Sequence, residues 1–247
     1  MKQTSLVMNT FVFESLLDAG QSQVDWLAGI KDLGIDVVEV RREYFRDDEE
    51  IIEIKDKAEA LDMELFYAVP DTLIQGRLMD AEKLSEYFKE YKDLGAKQFK
   101  IVAGYTDGLT DEELASLKGL MTEYGVRHLA LENDQSDYST PAKMRVIIEQ
   151  LREAGISAGI TFDTGNFIIT GQSPLESAQE LKDIVTFIHM KNVVAESGEI
   201  RLIDQGDVPM FEVLAVFDQD VPRAIEYPCG EDPFTTVQSE IEKILQA

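Results

Sequence analysis

At 247 residues, 44% of them hydrophobic, the chain is long enough for one large α/β unit with a sizeable core, and a single domain over 1–247 is expected. Its 48 acidic against 23 basic residues give a formal net charge of −25, which repels phosphate backbones and anionic lipid and argues against nucleic acid or a membrane as partner. No apolar run approaches the roughly 18 residues that span a bilayer, the first residues lack the features of a signal peptide, and the one cysteine, Cys229, has no disulfide partner, so a cytoplasmic protein with a buried, inert thiol is expected.

Strand and helix signals alternate along the chain. Residues 5–9 read as a strand, 24–33 as a helix stopped by Gly34, and 35–40 as a second strand. Helix 48–61 leads to strand 63–69, which Pro70 is expected to end; helix 80–94 stops at Gly95, and strand 97–102 runs into Gly104. Thr110 caps helix 111–124, with Glu113 placed for a capping box, and strand 127–132 follows Gly125. Helix 141–154, strand 156–162, helix 174–183 and strand 185–191 come next. A longer connection, 192–208, precedes a short helix, 210–217, and strand 221–226 and helix 233–245 finish the chain. Eight β-then-α units in this length predict a (β/α)8 TIM barrel. An open doubly wound sheet is the competing architecture, but no G-x-G-x-x-G turn follows the first strand.

In such a barrel the C-terminal strand ends form the site, and alternation run backward from each end gives the lumen-facing side chains. Glu132 shares its face with Ala130 and His128, Asp163 with Thr161 and Gly159, His189 with Phe187 and Lys191, and Glu226 with Ala224. The intervening Leu129, Leu131, Ile160, Phe162, Ile188 and Ile225 then face the helices. Glu132, Asp163, His189 and Glu226 therefore converge above strands five to eight. Three carboxylates brought together repel one another unless a cation sits among them, so a divalent metal is expected. The oxygen-rich set leans toward Mn2+ or Mg2+, with Co2+ and Zn2+ as alternatives. His128, lower in its strand, reads as a histidine of the barrel floor. Asp163 alone could equally be a helix cap.

The segments 131–135 (LENDQ), 161–166 (TFDTGN), 188–191 (IHMK) and 224–228 (AIEYP) resemble the metal-site segments of the xylose-isomerase-like sugar isomerase and epimerase superfamily. Segments 38–41 (VEVR) and 99–102 (FKIV) add to the likeness, which is particularly similar to the epimerase-like proteins of 2-ketogluconate utilisation. The resemblance implies a xylose-isomerase-like TIM barrel with a metal quartet. It also exposes departures. Ketose 3-epimerases carry a histidine where this chain has Asn166 and an arginine shortly after the strand-seven histidine, where residues 191–196 have none, which argues against a free ketose. The superfamily's endonuclease branch needs several histidines, and this chain has two.

Arg41, Lys100 and Lys191 take inward positions, with Glu39 in the same register as Arg41. They are expected either to pair with the site's carboxylates or, with Asn166, to bind an anionic substrate such as a sugar acid or sugar phosphate. A metal-bound 2-keto sugar would lose its α-hydrogen to one of Glu132 and Glu226 and regain it from the other, through an enediolate. A metal-dependent dehydratase of the inosose type and a non-catalytic sugar-acid binder are the alternatives. The sequence leaves the oligomeric state open, and a homo-oligomer is compatible with it.

Overall fold

The computed structural model describes residues 5–76, 78–105 and 107–246. Eight strands close into a parallel barrel: β1 (Leu6–Asn9), β2 (Val37–Arg41), β3 (Glu64–Ile74), β4 (Gln98–Gly104), β5 (Leu129–Glu132), β6 (Ala158–Asp163), β7 (Val185–Met190) and β8 (Arg223–Ile225). Each strand pairs with its neighbour in sequence, and β8 closes onto β1. Helices α1 (Leu27–Asp32), α2 (Asp48–Ala60), α3 (Ala81–Leu94), α4 (Asp111–Tyr124), α5 (Pro141–Glu153), α6 (Thr164–Ile169), α7 (Pro174–Leu181), α8 (Met210–Leu214) and α9 (Pro233–Gln246) lie on the connections. The expected punctuation is present. Asp47, Asp80 and Thr110 cap α2, α3 and α4 through their side chains, Thr110 and Glu113 form a capping box, and Gly95 and Gly125 close α3 and α4 in the left-handed conformation.

Alternation along the strands separates two apolar groups. Leu129, Leu131, Ile160, Phe162, Ile188 and Ile225 belong to the large core between barrel and helices, whereas Val7, Phe66, Phe187 and Ala224 form a separate small cluster on the opposite, lumen face. Phe66 and Phe187 meet edge to face at 5.4 Å, and Phe187 in turn meets the His189 ring at 4.9 Å. Aromatic packing thus plugs the lumen one rung below the strand-end residues. His128 lies at the floor, its Nδ1 2.9 Å from Ser157 Oγ and its Nε2 3.0 Å from Thr186 Oγ1. Cys229 is buried as expected, and that burial pushes its thiol up to about 12. Among the described residues no helix is long and apolar enough to cross a membrane.

Three local expectations are corrected. Strand β3 does not stop at Pro70 but runs on to Ile74, because its register with β4 shifts between Val69 and Thr72 and the bulge needs no N–H from the proline. Helix α6 follows β6 without a loop. The connection after β7 contains an antiparallel pair, Asn192–Val193 with Ile200–Arg201.

The extension of β3 brings backbone against Gly104, whose φ is +72°. A Cβ there would lie 2.4 Å from the Ile74 carbonyl oxygen and 2.8 Å from Thr72 Cβ. Gly104→Ala should therefore lose at least about 2 kcal/mol from backbone strain and overlap. Gly119, exposed in the middle of α4 with open space around it, should gain about 0.5–1 kcal/mol on the same change. Urea unfolding of both variants measures the contrast, and equal effects would contradict it.

Candidate metal centre

Asp163 ends β6 and begins α6, and its two carboxylate oxygens divide the work. Oδ1 accepts from the Gly165 and Asn166 backbone N–H groups, both at 2.9 Å, and so caps the helix. Oδ2 is buried and faces the lumen, where the Lys191 ammonium lies 2.5 Å away. Cap and ligand candidate are thus one residue. Asn133, the residue after Glu132, pins this strand end: it accepts from the Asp163 N–H at 2.8 Å and donates to the Asp163 carbonyl at 3.0 Å. The clamp was not foreseen, and only its place beside Glu132 could have pointed to it.

The expected convergence is present. One ligand atom from each of Glu132, Asp163, His189 and Glu226 lies within 4.8 Å of the other three, and all four residues are buried. His189 is held between carboxylates, with Nδ1 2.8 Å from Glu132 Oε1 and Nε2 2.8 Å from Glu39 Oε2. Asn9 Nδ2 donates to the same Glu39 oxygen at 2.6 Å. Glu39 is completely buried behind the imidazole, so the structure places it as the partner of His189.

The three inward cations each meet a site carboxylate. Lys100 Nζ lies 2.5 Å from Glu132 Oε2, and Arg41 Nη1 2.7 Å from Glu226 Oε1. Lys191, immediately after β7, places Nζ 2.5 Å from Asp163 Oδ2 and 2.9 Å from Glu226 Oε2. Arg41 also pairs with Glu43 at 2.7 Å and lies over the Phe11 ring at 4.8 Å. Asn166 spends its amide on the Asn133 carbonyl and its oxygen on Gln135 Nε2, within the β5 and β6 loops. Of the network's members, Arg41 and Lys191 reach solvent most, with side chains 15% and 12% exposed against 7% or less for Lys100, Glu132, Asp163, His189, Glu226 and Glu39. On the same end of the barrel a recess of about 420 Å³ is lined by Thr72, Ile74, Tyr105, Asp134 and Tyr138.

Electrostatics follows from this packing. Burial opposes charge on His189, but Glu39, Glu226 and Glu132 outweigh it and push the imidazole up to about 10. Burial also raises the Asp163 carboxyl above its ordinary value, Lys191 only partly opposing it, and Glu226 and Glu132 add their repulsion. For Glu132 burial acts upward but loses to Lys100, His189 and Lys191; for Glu226 it loses to Lys191, His189 and Arg41, so both are held low.

The donors fit a divalent cation. Apart from Lys191, Asp163 Oδ2 and Glu226 Oε2 are buried without a hydrogen-bond partner, and Glu39 can hold the His189 Nε2–H while Nδ1, without its proton, is left for an ion. Three carboxylates with one imidazole make an oxygen-rich donor set suited to a divalent cation.

With chelator present, an imidazolium at His189 makes stability pH-dependent. The folded-state value lies above the ordinary 6.5, so the contribution is complete below about 6.5 and is lost as pH rises through about 10. The stability gap between wild type and His189→Gln, from urea unfolding in EDTA, should therefore narrow from pH 6.5 to pH 10. A constant gap would show a neutral imidazole.

No protein-family profile matches the chain, and no curated protein matches it in sequence. Solved structures do match over nearly the whole chain. A xylose isomerase domain-containing protein of Salmonella typhimurium LT2 superposes with a TM-score of 0.74 at 15% identity, covering 100% of this chain and 97% of the other. An L-ribulose 3-epimerase gives 0.70 at 15% identity, covering 98% and 93%. A probable 3-DHS dehydratase of Bacillus anthracis gives 0.69 at 17% identity, covering 98% and 99%. At these identities the likeness is one of architecture: the chain has the xylose-isomerase-like TIM-barrel fold.

Proposed function

We propose that this protein is a divalent-metal-dependent isomerase or epimerase of a small sugar or sugar acid, transferring a proton through an enediolate between Glu132 and Glu226. The observation that carries this reading is the convergence of Glu132, Asp163, His189 and Glu226 at the C-terminal mouth of the barrel. The epimerase and isomerase-domain neighbours support it.

Glu132, Asp163, His189 and Glu226 would hold the ion, which would supply Lewis-acid stabilisation of the negative charge that develops on adjacent carbonyl and hydroxyl oxygens. The chain's own residues do the rest. Glu132 and Glu226 project from β5 and β8, separated around the barrel by β6 and β7, so they address a planar intermediate from different sides. Their low values keep both ionised, and either can accept the α-hydrogen as a weak base while the other, once protonated, returns it. Lys100 and Arg41 hold these carboxylates in place.

The two cations nearest the mouth favour an anionic substrate. Glu39, Glu43, Glu132, Asp163 and Glu226 face Arg41, Lys100, Lys191 and the His189 imidazolium, and a divalent ion that replaces the imidazole proton brings this set to neutrality. Arg41 and Lys191, the most solvent-exposed of the cations, are assigned to meet the substrate. Lys100, Glu39 and Asn166 would act from behind them.

The competing reading is a dehydratase of the same fold, supported by the 3-DHS dehydratase neighbour. Incubating 2-keto sugar acids, ketoses and their phosphates in D2O with Mn2+ separates the two. Exchange of the α-hydrogen without water loss is expected, whereas water loss would establish the dehydratase and metal binding with no reaction a sugar-acid binder. Glu132→Gln and Glu226→Gln should each lower turnover by roughly 10²–10⁴-fold while retaining exchange from only one epimer. Equal residual exchange from both epimers in both variants would contradict the two-carboxylate assignment.

A further inference from the structure

Lys191 differs from the other cations of the centre in how it is held. Lys100 and Arg41 make directed hydrogen bonds to Glu132 and Glu226. The Lys191 ammonium is instead shared between two carboxylates, 2.5 Å from Asp163 Oδ2 and 2.9 Å from Glu226 Oε2. Apart from Lys191, these two buried oxygens of the quartet have no hydrogen-bond partner.

The backbone at this point is fixed by hydrogen bonds, whereas the side chain is held at its charged end alone. Lys191 N–H donates to Thr164 Oγ1 at 2.9 Å, and the same hydroxyl donates to the Lys191 carbonyl at 2.8 Å. The stem crosses α6 at Gly165, where a Cβ would lie only 3.0 Å from Lys191 Cγ. Beyond that crossing the stem has rotatable methylene bonds, and the side chain is 12% exposed beside carboxylates exposed by 4% or less.

From this we infer that Lys191 is an exchangeable internal counter-ion: its ammonium occupies the cation position between Asp163 and Glu226 in the metal-free protein and swings toward the mouth when a divalent ion takes those oxygens. The inference rests on the metal-dependent reading above. Two cations cannot share this space, because at such separations in a buried site their repulsion exceeds what either gains. The exchange has two consequences. The empty centre is never left as bare buried carboxylates, and the displaced ammonium arrives at the mouth, where a substrate oxyanion would meet it, only once the metal is in place.

The test uses wild type and Lys191→Met, which keeps the stem length without the charge. By titration calorimetry Lys191→Met should bind Mn2+ more tightly than wild type by about tenfold or more, since no ammonium has to be displaced. In EDTA its thermal transition should fall below that of wild type, and added Mn2+ should close the difference. Mass-spectrometric amine acylation of the wild type reads the movement directly and does not depend on the variant folding. Labelling of Lys191 should rise roughly tenfold on going from EDTA to Mn2+, while Lys100 stays protected in both. Mn2+ binding by wild type with Lys191 equally protected in both conditions, or no tighter binding by Lys191→Met, would overturn the exchange and leave the metal centre standing. Failure of both proteins to bind Mn2+ or Mg2+ would remove the metal centre and the exchange together.

Discussion

Four carboxylates, Glu39, Glu132, Asp163 and Glu226, are buried together at one end of a closed barrel, and the rest of the centre answers to the cost of keeping them there. In a low-dielectric mouth each needs a counter-charge within contact distance, so Arg41, Lys100, Lys191 and the His189 ring are drawn in from β2, β4 and β7 or its immediate continuation. This accounts for cations in the interior of a chain whose net charge is −25. The same constraint separates permanent partners from replaceable ones. Lys100 and Arg41 make hydrogen bonds that fix Glu132 and Glu226, whereas the positions of Lys191 and of the His189 Nδ1 proton are those a divalent ion can take over.

The fold supplies rigidity where the chemistry needs it. Asp163 cannot drift because one oxygen caps α6 and its backbone is clamped on both sides by Asn133. The His189 ring cannot turn because Glu39, itself held by Asn9 from β1, fixes Nε2, and Phe187 packs against it from below. The apolar plug of Val7, Phe66, Phe187 and Ala224 places weakly polarisable side chains beneath the centre, which strengthens the electrostatic interactions above it.

Much of this was legible in the sequence because a barrel imposes simple rules. Period-two alternation assigns Leu131, Ile160 and Phe162 to the outer core and leaves Glu132 and Asp163 on the lumen side, and parallel strands bring their C-terminal ends together. What alternation cannot give is the direction of a long side chain. Arg41 reaches Glu226 across 185 residues of sequence, so the sequence left open whether the inward cations pair with the site or await a ligand. It likewise gave Glu39 an inward register but not its contact with His189. Helix α6 was missed because its Thr, Gly and Asn are poor helix formers, and it forms through the Asp163 cap and the complete burial of Phe167 against Phe162. Pro70 misled for a related reason, since the bulge that accommodates it depends on the partner strand.

If these carboxylates and His189 form a metal centre, diffraction from crystals grown with Mn2+ and recorded at its absorption edge tests the claim most directly. A single strong anomalous peak should lie within about 2.0–2.3 Å of one atom from each of Glu132, Asp163, His189 and Glu226. A map with no peak there, or with manganese bound only at surface carboxylates, would contradict the account.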